Sequence, residues 1–207
     1  MKYKILFRQL LHLKIVEKEL SEAWIIQQNF KNYHQQEVLR KSYFLRDNML
    51  NFVKNIIYYF FNEIIEPNYI SLMNNLLNCS SMEEVMKYHD KFLDTCLKDC
   101  LLEDKNILSE LTNVVMCCSI FARLIGKFYK SALLTQKEFH QKNISMGYKG
   151  ISIAEKKKRL KEEQSKAIEK VFFGGNVIFT DYIQKFSTSF DTRFKVLLKQ
   201  IEKLNKK

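Results

Sequence analysis

The chain has 207 residues, enough for one domain with its own core, and a 46% hydrophobic fraction that is typical of globular rather than disordered proteins. Five glycines and one proline leave few turn-forming positions, so the composition favours long helices. The net charge of +11 favours an acidic partner, but it does not distinguish nucleic acid, anionic membrane and acidic protein.

Membrane insertion and export are both disfavoured by the sequence. The most apolar run, Ile56–Ile65, is too short to cross a bilayer and already contains Asn62. Arg8 and Lys14 interrupt any apolar core of a signal peptide. The five cysteines are an odd number in a chain without an export signal, so we predict reduced thiols in a cytoplasmic protein.

The first half of the chain predicts three helices. Apolar side chains recur at steps of three and four from Leu6 to Trp24, which predicts a helix over residues 3–30. A polar loop at 31–36 precedes a second helix over 37–65. Pro67 should stop that helix, because proline lacks the amide proton and clashes with the preceding turn. A short helix at 68–78 follows.

The second half predicts further helices. Ser81 and Glu84 fit a capping box that starts a helix running to about Leu102. Apolar spacing then predicts a helix over 105–142, a charged helix over 153–172 that Gly174 and Gly175 should break, and a last helix over 176–205.

These elements predict an all-α fold, a bundle or rod of about six long helices. We expect a helical core over residues 1–142, a loop over 143–152, and basic C-terminal helices of the same domain over 153–207.

His89, Cys96 and Cys100 share a helical face and could hold Zn²⁺, with Cys117 or Cys118 as a fourth ligand. Structural zinc sites usually contain tight Cys-x-x-Cys pairs, and the chain has none. We therefore favour small core side chains and predict no metal site.

Acidic side chains cluster at one place in the sequence, and paired carboxylates could act as general acid and base. No phosphate-binding loop, nucleophile elbow or metal-binding His pair accompanies them, so we predict a solvated helix face, no enzyme and no cofactor. The acidic residues are Asp94, Asp99, Glu103 and Asp104.

The segment 155–163 is basic and then acidic, and it could bind phosphates of RNA or lipid headgroups. The acids follow the bases at i+4 spacing, which favours pairing within one solvated helix. A basic helical adaptor that binds RNA or anionic membrane through 155–170 remains the alternative function; steep weakening of binding with salt would distinguish it.

Two stretches resemble the gamma-tubulin complex component family: Met49–Tyr59 followed by Glu63–Pro67, and His89–Leu102. The second stretch is most similar to the component 2 members. The opening, with Leu6-Phe7-Arg8 and Lys14-Ile15-Val16-Glu17, fits the same family.

The resemblance implies the carboxy-terminal helical domain that holds gamma-tubulin in this family, as a non-enzymatic module. Expected partners are gamma-tubulin and other complex components, without nucleic acid or membrane insertion. The expected location is the cytoplasm, at the cytoskeleton, microtubule-organising centres and spindle poles. Tubulins are acidic, which fits the charge. The candidate contact residues are polar positions within the matching motifs: Arg46, Asn51, Lys54, Asn55 and Glu63.

Relatives have further helices before the Leu6-Phe7-Arg8 motif and close with an Arg-Leu-Asp-aromatic-Asn stretch, so we expect this chain to be truncated at both ends. Apolar residues surround most of the helix over 37–65, including Ile57, Tyr58, Phe60 and Phe61. We therefore expect an exposed apolar patch of more than a few hundred Å², lined mainly by the first two helices.

Overall fold

The computed structural model describes residues 2–33, 37–145 and 178–204, together with the single positions 162 and 166. Regular structure in these ranges is entirely helical, which confirms the all-α prediction. A 3-10 segment, Gln28–Tyr33, extends the first helix, and a π-helical segment, Tyr59–Ile65, joins the second to the third. The α-helices are α1 Lys2–Gln27, α2 Glu37–Tyr58, α3 Glu66–Leu76, α4 Met82–Asp99, α5 Lys105–Ser145 and α6 Ile178–Leu204.

Four of these helices surround one core. α5 packs against α1 and α6, and α2 packs against all three of these helices. The apolar stripe of α5 contributes Phe121, Ile125 and Tyr129, all fully buried, and α1 contributes Leu13 and Leu20. Each such side chain stabilises the fold by about 1.5–3 kcal/mol through burial. The hairpin of α3 and α4 attaches beside this bundle through the π-helical segment and α1.

The region Lys105–Leu134 of α5 is long and apolar enough, by length and composition, to cross a membrane, which the sequence interpretation did not recognise. Half of its most apolar window is buried inside the fold. Core helices of globular proteins meet the same criterion, because they are apolar on several faces. We therefore attribute the apolar character of α5 to its packing between α1 and α6.

The predicted helix stop at Pro67 is wrong. Ile65 and Glu66 both have right-handed helical backbone angles, and Pro67 lies in the first turn of α3. The Glu66 amide donates to the Phe61 carbonyl, five residues back. This wider π-type turn precedes the proline, whose ring would otherwise clash with a carbonyl in a regular α-helix. α2, the π-helical segment and α3 therefore form one continuous helical run.

The start of α4 follows the predicted capping box with one change of partner. Ser81 Oγ accepts a hydrogen bond from the Glu84 amide at 3.2 Å, as expected. The Glu84 carboxylate instead accepts from the amide of Ser80 at 2.8 Å and from the Ser80 hydroxyl. These hydrogen bonds from Ser80 lower the pKa of Glu84, so the carboxylate stays ionised at the helix start.

α4 ends at Asp99, three residues before the predicted end, although no glycine marks the stop. Leu101 takes the left-handed conformation with φ of 58°. Its amide donates to the Lys98 carbonyl, and the Leu102 amide donates to the Leu97 carbonyl, each at 2.9 Å. These two bonds form a Schellman motif, and burial of the Leu102 side chain offsets the cost of a left-handed leucine.

The remaining predicted boundaries are close to those observed where the structure describes them. α1 with its 3-10 extension covers the predicted helix 3–30 and continues to Tyr33, so the first half of the predicted loop at 31–36 is helical and its second half lies outside the described residues. α6 is within two residues of the prediction. α5 continues to Ser145, so the first residues of the predicted loop at 143–152 are helical. The rest of that loop, the charged helix over 153–172 and the Gly174-Gly175 break lie outside the described residues, apart from positions 162 and 166, which are helical and exposed.

Candidate interaction surface

Among the described residues, α2 packs against α1, α5 and α6, and one of its faces stays free for a partner. On the α1 side, the Tyr43 hydroxyl donates to the Gln27 carbonyl at 3.5 Å. On the α6 side, the Phe52 ring lies edge-on to Phe190 and Phe194, with centroids 6.0 and 5.4 Å apart. These contacts turn the remaining face of α2 outward along its length.

Three of the five predicted contact residues share this outward face. Asn51, Lys54 and Asn55 are all exposed, and their spacing of three and four residues makes them neighbours on the helix surface. Glu63 is also exposed, on the π-helical segment that continues α2. The structure therefore places four of the predicted residues on accessible surface.

Arg46 differs from the other four, because its side chain is only 3% exposed. The guanidinium carbon lies 4.4 Å from the centroid of the Trp24 ring on α1, a cation–π contact, and the group also pairs with the adjacent Asp47. Burial lowers the pKa of Arg46, and Asp47 opposes that shift. Arg46 thus joins α2 to α1 inside the fold, and we remove it from the set of surface candidates.

A groove between α1 and the α2 end has two lysines and two aromatic rings at its rim. Lys54 faces Lys14 of α1 across a concavity of about 410 Å³, which Tyr58, Phe61 and Asn62 complete. Lys14 is paired with Glu17 at 3.1 Å. The groove combines positive charge with apolar contact area, which suits an acidic protein surface that carries apolar side chains.

The apolar and aromatic run at 57–61 divides between core and surface because consecutive residues face different sides of a helix. Ile57 and Phe60 are buried, whereas Tyr58 and Phe61 are 59% and 39% exposed. The sequence interpretation named Ile57, Tyr58, Phe60 and Phe61 together, on a helix expected to line an exposed apolar patch. It did not identify Lys14, whose position beside Lys54 depends on the packing of α1 against α2.

α1 carries a second apolar stripe that the sequence interpretation did not recognise. Tyr3, Phe7, Leu11 and Ile15 recur every four residues and are all exposed, on the side opposite the buried Leu6, Leu13 and Leu20. The Tyr3 and Phe7 rings stack at 6.1 Å. Exposed apolar side chains therefore do occur on the first two helices, as expected; the area of a continuous patch stays a prediction.

A second concavity, about 460 Å³, lies between α2 and α6. Arg40, Lys41 and Phe44 line its α2 side, and Ile183 and Asp191 line its α6 side. Phe44 is 67% exposed at its rim. Phe44 faces outward on α2, whereas its neighbours Tyr43 and Leu45 are buried.

In the clusters of cysteines and carboxylates, two thiols are buried in the fold and one carboxylate caps a helix. Cys96 and Cys100 are buried, which raises the pKa of their thiols to about 11 and about 12, whereas His89 is exposed. Asp104 caps α5 by accepting from the amides of Asn106 and Ile107 at 2.8 and 3.2 Å. Among the described residues, no three His, Cys, Asp or Glu side chains are placed to hold a metal ion.

Comparison with known proteins gives a consistent set of relatives. A family model described as "Gamma tubulin complex component C-terminal" matches residues 1–207. Gamma-tubulin complex component 2 of Mus musculus is 36% identical over 135 residues, which is 64% of this chain and 15% of the mouse protein. Spindle pole body component alp4 of Schizosaccharomyces pombe is 34% identical over 142 residues, 65% of this chain and 18% of that protein.

A more distant relative matches nearly the whole chain. Gamma-tubulin complex component 3 of Drosophila melanogaster is 29% identical over 202 residues, 90% of this chain and 22% of the fly protein. The chain thus spans less than a quarter of the length of these curated relatives. The match of the family model over the full sequence, together with the helical fold, shows that the chain belongs to the gamma-tubulin complex component family, within its C-terminal region.

Proposed function

We propose that this chain binds gamma-tubulin as part of a gamma-tubulin complex and so supports microtubule nucleation at microtubule-organising centres and spindle poles. The observation that carries the proposal is the family match over residues 1–207. The names of the relatives support it, since they include gamma-tubulin complex components and a spindle pole body component. Other components of the same complex are further proposed partners.

The proposed role is that of a scaffold and involves no chemical step. A component that holds one gamma-tubulin beside its neighbours raises the effective concentration of subunits in the geometry of a filament end. Free subunits would otherwise lose translational and rotational freedom on forming a nucleus, which costs about 4–15 kcal/mol per association. The proposed scaffold provides this ordering before nucleation begins.

We assign the gamma-tubulin contact to the outward face of α2 and its π-helical continuation. Asn51, Lys54, Asn55 and Glu63 are exposed there. The Lys14–Lys54 groove borders this face and supplies apolar contact through Tyr58 and Phe61. Polar rim residues around a few aromatic anchors are the usual composition of a specific protein interface.

Co-purification of the 207-residue chain with gamma-tubulin tests the proposal, using a charge reversal at the centre of the face. Lys54→Glu should weaken binding by about tenfold or more, because it places a carboxylate where the proposed acidic partner lies. Lys195→Glu is a matched control on the exposed side of α6, and it should leave binding unchanged.

Two results would contradict this assignment in different ways. If the unaltered chain does not retain gamma-tubulin at all, the binding proposal itself is wrong. If Lys54→Glu and Glu63→Lys both bind like the unaltered chain, gamma-tubulin binds elsewhere on the domain.

A further inference from the structure

Among the described residues, α4 carries one apolar stripe that neighbouring helices cover along only half of its length. The stripe runs at steps of three and four through Met82, Met86, position 89, Leu93, Leu97 and Cys100, and position 89 is the exposed His89. Its second half is buried, whereas Met82 and Met86 are 73% and 62% exposed. Lys2, the first described residue of α1, pairs with Asp94 of α4 at 2.7 Å. The described part of α1 therefore reaches α4 at Asp94 and leaves Met82 and Met86 exposed.

α3 adds a second set of exposed apolar side chains at the same end of the hairpin. Leu72 is its one buried position. The exposed apolar side chains are Tyr69, Ile70 and Met73, together with Leu77 directly after the helix, and they are 42–81% exposed. Met73 and Leu77 lie in the last turn of α3 and directly after it, and Met82 and Met86 lie in the first turns of α4, so all four flank the connection between these two packed helices. We call this the hairpin-tip surface, comprising Tyr69, Ile70, Met73, Leu77, Met82 and Met86.

The charge around the hairpin-tip surface is opposite in sign to that of the whole chain. Residues 66–87 contain three carboxylates and one lysine, Lys87, a local charge of −2, although the chain has a net charge of +11. Glu66, Glu83 and Glu84 are exposed. Such a surface repels phosphates and acidic proteins and attracts cationic groups.

We propose that the hairpin-tip surface binds a basic amphipathic helix of a partner protein. The partner's apolar face would cover Met73, Leu77, Met82 and Met86, and its Lys and Arg side chains would pair with Glu66 and Glu83. Methionine suits this role, because its unbranched and polarizable side chain adapts to different apolar partners. Binding of an amphipathic helix to an apolar surface with acidic edges is an established mode of peptide recognition. This surface shares no residue with the gamma-tubulin contact proposed on α2 and its π-helical continuation.

A synthetic basic helix tests this proposal on the intact 207-residue chain. The probe is a peptide of about 20 residues with leucine on one helical face and lysine on the other; a scrambled peptide of the same composition is its control. Methyl spectra of methionine report where it binds. The Met73, Met82 and Met86 signals should shift on titration, whereas Met49, which is buried, and Met116, which is exposed on α5, should not.

Variants separate the apolar and charge contributions. Met82→Lys with Met86→Lys should weaken peptide binding by about tenfold or more, whereas the matched pair Met116→Lys with Ile120→Lys on α5 should not. Glu66→Gln with Glu83→Gln should reduce affinity severalfold and flatten its salt dependence. Circular dichroism would verify that each variant stays folded.

Three outcomes would overturn the proposal. The peptide could leave the Met73, Met82 and Met86 signals unchanged, or bind the hairpin variants as well as the unaltered chain. The same signals could also shift with protein concentration in the absence of peptide. That last result would assign the hairpin-tip surface to a second copy of this chain.

Discussion

The replacement Arg46→Ala tests whether this arginine belongs to the fold or to a binding surface. The substitution removes the cation–π contact with Trp24, which is worth about 1 kcal/mol at a partly desolvated site. It also removes two buried methylenes of the stem, at about 0.8 kcal/mol each. We expect a total loss of about 2–3 kcal/mol, or roughly 4–12 °C in Tm for a domain of this size.

Thermal melts followed by circular dichroism measure this effect, with two variants for comparison. Arg46→Met keeps most of the buried volume, so it should lose about 1 kcal/mol or less, because the cost of burying the charge disappears along with its contact. Arg40→Ala, at an exposed position of the same helix, should stay within about 0.5 kcal/mol of the unaltered chain.

Either of two results would refute this reasoning. Arg46→Ala could melt at the temperature of the unaltered chain, which would mean that the Trp24 contact contributes nothing. Alternatively, Arg46→Met could keep its Tm and lose gamma-tubulin co-purification. The arginine would then act directly in binding, as the sequence motif suggested.

Three further predictions concern the helix cap and the thiols. Asp104→Ala should lower the stability by about 1 kcal/mol, visible as a lower urea midpoint, because the Asn106 and Ile107 amides at the start of α5 lose their acceptor; an unchanged midpoint would show that water replaces the cap. Burial raises the pKa of Cys96 to about 11 and of Cys100 to about 12, from the usual 9. Because unfolded thiols ionise near 9, the unfolded state loses protons first as pH rises, so stability should fall between about pH 9 and 11. Half-exposed Cys79 should react with a thiol reagent well before the other four near pH 8, and equal rates would contradict the burial.

Much of the fold could be predicted because helical periodicity and caps are local. Apolar residues spaced three and four positions apart predicted the first and last residues of α1, α5 and α6 to within a few residues, and Ser81 marked the start of α4. The end of α4 could not be predicted from its sequence, since Leu101 takes a left-handed conformation that burial of Leu102 stabilises. The passage through Pro67 likewise depends on a π-type turn that no local pattern indicates.

The candidate surface could be predicted only in part. Family motifs drew attention to α2, but they could not separate Arg46 from Asn51, since both are polar residues on one helix. Packing decided the matter: Trp24 of α1 covers Arg46, while Asn51 stays exposed. The Lys14–Lys54 groove joins residues forty positions apart, so it exists only once α1 lies against α2.

The sequence by itself determined the class of fold, the family and most helix boundaries, because these depend on composition, periodicity and short motifs. Only the tertiary structure decided which apolar residues are core and which are surface. Helices such as α1 and α4 are apolar over more of their circumference or length than one neighbour can cover. Exposure at Phe7 or Met86 therefore depends on where the neighbouring helices lie, which is a property of the assembled bundle.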